Sequence, residues 1–208
     1  MAPGGADPRA ALEQFLVQAL GARSVKVGRL DRLAGGAIQE NYALDATIDG
    51  GPRAGDAKFV LRSDSPSGIV ASHDRAHEFA LIRAAHAAGV AVPEPIVLCA
   101  EPTVLGRLFS VMARVPGTAQ GHILVRDDKW RGDRVRLAER LGEELAKIHA
   151  IRPPAPPGLE FLALPAGTPA APAIATYRAW LDHGREARPA LEWSLVWLEG
   201  EAPPADVL

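Results

Sequence analysis

The sequence predicts an α+β fold: a five-stranded antiparallel sheet with one main helix, followed by a mainly helical portion. Three observations predict it. Between Val25 and Arg114, apolar residues alternate at period two in short runs, the pattern of strands with one buried face. Turn-forming glycines separate those runs, at Gly35-Gly36, at Asp49-Gly50-Gly51 and at Gly106. From Asp133 onward the apolar spacing changes to three and four residues, which is the spacing of helices.

Taken in order, the first element is a helix capped by Asp7, started by Pro8 and ended by Gly21. Leu12, Phe15, Leu16 and Leu20 share one of its faces, so it packs outside the sheet. The runs Val25 to Leu33 and Tyr42 to Ile48 form a hairpin, and Lys58-Phe-Val-Leu-Arg62 forms a third strand ending on a cation. Pro66 rules out a continuous helix directly after it. A helix is predicted from Ser72 to Ala88, with Phe79, Ile82 and Ala85 at core spacing and Glu78 beside them. Val92-Pro93-Glu94-Pro95 is extended, because each proline keeps its predecessor out of the helical region. Strands Ile96 to Ala100 and Leu108 to Arg114 follow, joined around Gly106.

Pro116 and Gly117 place a boundary between a first lobe, 1–117, and a second, 118–208. The stretch from Thr118 to Asp133 is polar and broken. Its Asp127-Asp128 pair is adjacent and splays apart, a solvated surface and not a metal site. A helix from Asp133 to Ala150 carries Leu137, Leu141, Leu145 and Ile148 in register, and His149 at its end reads as a core or capping histidine. Ile151 to Pro172 is proline-dense and irregular, and two helices follow, Ala173 to Ala187 and Pro189 to Leu198. Trp193 and Trp197 lie four apart, an apolar stripe that seals a core.

Composition narrows the function classes. A chain of 208 residues with 48% hydrophobic content can bury a sizeable core. Its 23 basic and 25 acidic residues nearly balance, which argues against nucleic acid or a membrane surface as partner. Cys99 is the single cysteine, so a reducing compartment is expected, and the N-terminus lacks the features of a signal peptide. No apolar run approaches the roughly 20 residues that span a bilayer. These features predict a soluble cytoplasmic protein.

Within the first lobe, three residue types suggest chemistry. Gly35 and Gly36 can take positive φ and bring bare backbone N–H groups near a ligand, Arg62 offers a fixed cation, and Glu78 offers an acid to orient it. Together they read as parts of a small nucleotide-binding lobe. The plain alternatives are an ordinary Gly-Gly turn, a solvated strand arginine, a solvated helix glutamate and, for Met112, core filling.

The ordered series Gly35-Gly36 with Asn41, Val60-Leu61-Arg62, Glu78, Val92-Pro93-Glu94-Pro95, Gly106-Arg-Leu-Phe109, Val111-Met112, Val115-Pro116-Gly117 and Leu145-Ala-Lys-Ile-His149 resembles a known family. It is similar to the aminoglycoside phosphotransferase-like kinases, the broad family that includes choline and fructosamine kinases. Trp197-Leu198 with Pro203 extends the likeness nearly to Leu208. The resemblance implies a protein kinase-like N-lobe, ATP and Mg²⁺ as cofactors, and phosphoryl transfer to the hydroxyl of an unidentified small molecule. It implies an Arg62–Glu78 pair, Asn41 orienting the loop, Met112 behind a purine, and the backbone of Ala113, Arg114 and Val115 along the purine edge. The family usually has lysine where Arg62 stands, although relatives associated with acyl-CoA dehydrogenase-like proteins also resemble Val-Leu-Arg. The family's His-Gly-Asp loop and later metal-binding Asp should follow Leu208. The expectation is therefore a chain inactive by itself, self-associating or pairing with a separate C-terminal half. The alternative is a nucleotide-binding or assembly module without chemistry.

Overall fold

The computed structural model describes residues 7–33, 39–64, 74–117, 121–126, 134–152, 156–162, 168, 170–184 and 186–202. The expected glycines Gly35 and Gly36 lie outside them, as do Asp127 and Asp128. The chain forms two compact units, Met1–Glu160 and Phe161–Leu208.

In the first unit, helix α1 (Pro8–Leu20) begins where the Asp7 carboxylate accepts the Arg9 N–H at 3.0 Å. It ends at Gly21, whose φ of 60° is the left-handed conformation that a C-terminal cap requires. Strands β1 (Ser24–Arg32), β2 (Gln39–Asp49), β3 (Gly55–Asp64), β4 (Pro95–Cys99) and β5 (Phe109–Ala113) form one antiparallel sheet in the order β1-β2-β3-β5-β4. The predicted five-stranded sheet is therefore present. β2 and β3 run longer than the alternation indicates, and β1 is shifted by one residue toward the N-terminus.

One face of the sheet carries Val25, Val27, Leu44, Ala46, Ile48, Phe59, Leu61, Phe109 and Val111, all buried against Leu12, Leu16 and Leu20 of α1. Phe15 meets Phe109 edge to face at 5.2 Å. Each fully buried side chain of this kind contributes roughly 1.5–3 kcal/mol. At the edge, β1 slips register between Val27 and Arg29. There the Glu13 carboxylate accepts the Val27 N–H at 2.7 Å, and Arg9 donates to the carbonyls of Val27 and Gly28 at 3.1 and 3.2 Å. The β2–β3 turn is equally constrained. Gly51 has φ of 76°, and a Cβ there would lie 2.6 Å from the Gly21 carbonyl oxygen.

Helix α2 (Arg75–Ala87) lies against β4 and β5. It starts three residues later than Ser72 because Asp74 is its cap, accepting the His77 N–H at 2.8 Å. Phe79, Ile82 and Ala85 are only partly buried. Helix α3 (Gly121–Arg126) is short. Helix α4 (Arg134–His149) has no buried residue; Leu137, Leu141, Leu145 and Ile148 are exposed, and so is His149, so the core reading of that histidine is corrected. His149 instead sits in the last turn, where a basic group suits the helix dipole.

In the second unit, α5 (Ala170–His183) and α6 (Pro189–Glu201) pack on each other. Helix α5 begins before the predicted Ala173, since Pro172 falls in its first turn, where the missing N–H costs nothing. Arg178 of α5 bridges Glu192 and Glu199 of α6. The tryptophan stripe seals no core among the described residues, which agrees with the expectation that this chain carries an uncovered apolar face. Helix α6 buries Leu195 instead, and Trp193 and Trp197 remain 72% and 57% exposed. Leu195 lies on the opposite side of the helix from Trp193, so burying one side leaves the stripe outside.

Candidate functional site

Register builds the site. Asn41 of β2 stands opposite Arg62 of β3, which stands opposite Ser110 of β5. Two residues further along, Ala43, Val60 and Met112 form a second row. Asp45 stands opposite Lys58 in a third, and the Arg114 N–H donates to the Lys58 carbonyl at 3.0 Å. Opposed residues share a face and successive residues alternate. All three rows therefore lie on the face turned away from Phe59, Leu61 and α1. The result is an apolar row between two polar ones, with Ala43 and Met112 buried.

Arg62 is fixed from α2. Its Nη2 lies 2.9 Å from Glu78 Oε1, as the sequence order implied. The second Glu78 oxygen takes the Arg75 Nη1 at 2.7 Å. Arg75 is 1% exposed, whereas Arg62 keeps 31% of its side-chain surface, so of the two cations only Arg62 presents itself to a ligand. Burial lowers the Arg62 guanidinium below the ordinary arginine value, with the Arg75 charge acting the same way and Glu78 opposing both. Arginine stays charged through such a shift. Arg62 and Arg75 thus share the Glu78 carboxylate, one on each oxygen.

The third row is closed by an ion pair between Arg114 Nη2 and Asp45 Oδ1 at 2.7 Å. That contact spans β3 and holds the exit of β5 to β2. The Ala113 N–H donates to the Glu94 carbonyl at 2.9 Å, so the N–H groups of Ala113 and Arg114 are both engaged within the chain. Val115 is 62% exposed. Asn41 receives the Leu33 N–H on its carbonyl at 2.7 Å, closing the hairpin on the near side of the loop.

Sequence reasoning missed two groups. Arg75 is one, because an arginine in the first turn of a helix reads as a surface residue. The other is Glu40, whose carboxylate receives the Tyr42 hydroxyl at 2.9 Å, Arg107 at 2.5 Å and Arg32 at 3.3 Å. An acid at period two with Tyr42 and Leu44, and so on the apolar face, was the available signal. Among the described residues no group of three or more His, Cys, Asp or Glu side chains could hold a metal ion. No described helix is long and apolar enough to cross a membrane.

Comparison with known proteins agrees with this geometry. The profile of the phosphotransferase enzyme family (APH) matches residues 29–208. Mouse (Mus musculus) acyl-CoA dehydrogenase family member 10 is 28% identical over 152 residues, which is 70% of this chain and 13% of that protein. A solved structure from Ralstonia eutropha, named a “putative aminoglycoside phosphotransferase”, superposes with a TM-score of 0.64 at 18% identity. It covers 93% of this chain and 53% of its own. This chain thus spans about half the length of that structure and a small part of the mouse protein.

Proposed function

This chain belongs to the phosphotransferase enzyme family, and from that premise we propose that it supplies the nucleotide-binding part of an ATP-dependent transfer to a small-molecule hydroxyl. The observation that carries the proposal is the Arg62–Glu78 contact at 2.9 Å, beside Asn41 and at one end of an apolar row. Phosphoryl transfer is catalysed mainly by positioning and by stabilising charge. In this reading Arg62 meets the phosphates and Glu78 holds it in place. The purine lies along Ala43, Val60 and Met112, and the backbone from Ala113 to Val115 follows its edge. The N–H groups of Ala113 and Arg114 are engaged within the chain, which leaves the amide of Val115 as the candidate there. Residues 1–117 form the nucleotide lobe, and 118–208 open a helical one.

The residues fit ATP at its phosphate end, where a half-buried cation already carries its own counter-ion. Mg²⁺ enters this reading through the family alone: it is commonly held by one or two carboxylates together with the substrate's phosphates, and none of the described residues is assigned to it. No His-Gly-Asp occurs among the 208 residues, so the catalytic base of the reaction has no counterpart here and the chain assayed alone is expected to transfer no phosphate. The exposed Leu141, Leu145, Trp193 and Trp197 favour a second reading as a nucleotide-binding or assembly module that pairs with another copy or a separate half.

Calorimetric titration with ATP and with adenosine tests the proposal. ATP is expected to bind weakly and with little dependence on Mg²⁺. Arg62→Ala is expected to weaken ATP by roughly tenfold or more, the worth of a charge-assisted contact, and to leave adenosine within about twofold. Equal loss for both ligands, or no binding of either, contradicts the proposal.

A further inference from the structure

Glu40 lies outside the rows that face the nucleotide in the reading above. Strand alternation turns Glu40 and Tyr42 toward the α1 side and Asn41 toward the side of Arg62. Yet among the described residues of the sheet Glu40 is a heavily engaged carboxylate. Its side chain is 15% exposed and gathers donors from three places: Arg32 at the end of β1, Tyr42 on β2, and Arg107 in the β4–β5 connection. Arg107 is 67 residues away in sequence. The clasp therefore ties the loop end of the β1–β2 hairpin to the β4–β5 connection on the far side of the sheet. On β3, opposite Glu40, Ser63 is buried and its hydroxyl has no hydrogen-bond partner among the described residues.

We infer that Glu40 is a positioning residue: by binding Arg32, Tyr42 and Arg107 together it fixes Asn41 against Arg62 and sets the nucleotide-facing end of the hairpin. The inference rests on the nucleotide reading of that face. Its physical basis is the strand itself. A residue anchored on one face of a strand fixes the backbone from which its neighbour projects to the other. Asn41 is that neighbour, and its carbonyl also accepts the Leu33 N–H that closes the hairpin. Hydrogen bonds to an ionised acceptor are the strong ones, and three on one carboxylate restrict it more than any single pair. Arg107 supplies the contact that links separate parts of the fold, so its loss should act like the loss of Glu40.

The test compares Glu40→Gln, Arg107→Gln, the double variant and Arg107→Lys with the unsubstituted chain. Three readouts are needed: calorimetric affinity for ATP and for adenosine, amide exchange at Leu33 and Asn41 without ligand, and the melting temperature. The expected result is ATP affinity lowered roughly tenfold in each Gln variant, with adenosine changed by less than about twofold. The double variant should be no weaker than either single one, Arg107→Lys should recover most of the loss, and exchange at Leu33 and Asn41 should quicken. A lower melting temperature with an unchanged ATP-to-adenosine ratio would make the clasp a stability device and overturn the inference alone. Failure of the unsubstituted chain to bind ATP would overturn the nucleotide reading and this inference with it. Should Glu40→Gln not fold, Arg107→Gln decides, since Arg107 is 40% exposed and its replacement leaves the core intact.

Discussion

The sheet with α1 and the later helices α4 and α6 all carry apolar residues at regular spacing and end up differently buried. In α1 and the sheet, Leu12, Leu16, Leu44, Phe109 and Val111 have no exposed surface. Helix α4 buries no residue and α6 buries only Leu195. The difference teaches that amphipathic spacing fixes which residues share a face, while burial depends on a second surface being there to receive it. A strand acquires that surface from its neighbours in the sheet and from one helix. A helix with a leucine stripe has to meet another element.

The largest effect that sharpens this comparison comes from cutting each region at an apolar side chain. Phe109→Ala should cost about 3–5 kcal/mol in urea unfolding, through lost transfer energy and a cavity. Leu141→Ala, at a position 65% exposed, should stay within about 0.5 kcal/mol. Equal costs would break the comparison. The next largest is Gly51→Ala. Its positive φ and the Gly21 carbonyl oxygen 2.6 Å from the added Cβ should cost about 1–3 kcal/mol, seen as a lower urea midpoint with an unchanged slope. Glu78→Gln follows. It removes the carboxylate from Arg75, which is buried, and from Arg62, which is partly exposed, for about 1–2 kcal/mol.

The smallest effect is acid sensitivity. Glu40 is held below the usual carboxylate range by the Tyr42 hydroxyl and then by Arg107, Glu94 by Arg53, and Glu144 of α4 by Lys147 and then by the Ala91 N–H. A depressed carboxyl contributes stability that is present above its unfolded value, near about 4.3 for glutamate. That stability is lost as pH falls through the folded value. Thermal melts should therefore fall below about pH 4, and Glu40→Gln with Glu94→Gln should flatten that fall. An unchanged acid limb would show that these contacts are screened by solvent.

Much of the sheet region was legible because its signals are local. Asp7, Pro8 and Gly21 bracket α1 by their own chemistry, and alternation marks β3 up to Arg62. The Arg62–Glu78 contact was legible from the order of the surrounding motifs, not from either residue. What stayed hidden was long-range or depended on context. The contact of Arg107 with Glu40 joins residues with no periodic relation, and Arg75 looks like any arginine at a helix start until its burial is known. The stripe of Trp193 and Trp197 carries the same spacing whether covered or bare, so the pattern could not distinguish the two outcomes.

The contacts of Arg9 and Glu13 with β1 have a consequence for how this sheet meets other chains. An edge strand offers a row of backbone donors and acceptors that can template a further strand, the route by which sheets fuse into aggregates. At the register slip, α1 reaches over and occupies the groups of Val27 and Gly28 with side chains. The helix thus acts as a stopper at the first edge: a strand from another copy arriving there would find the hydrogen-bonding positions taken. Replacing Arg9 and Glu13 by alanine would reopen that edge, and seeded growth of thioflavin-positive material, absent from the unsubstituted chain, is the expected sign.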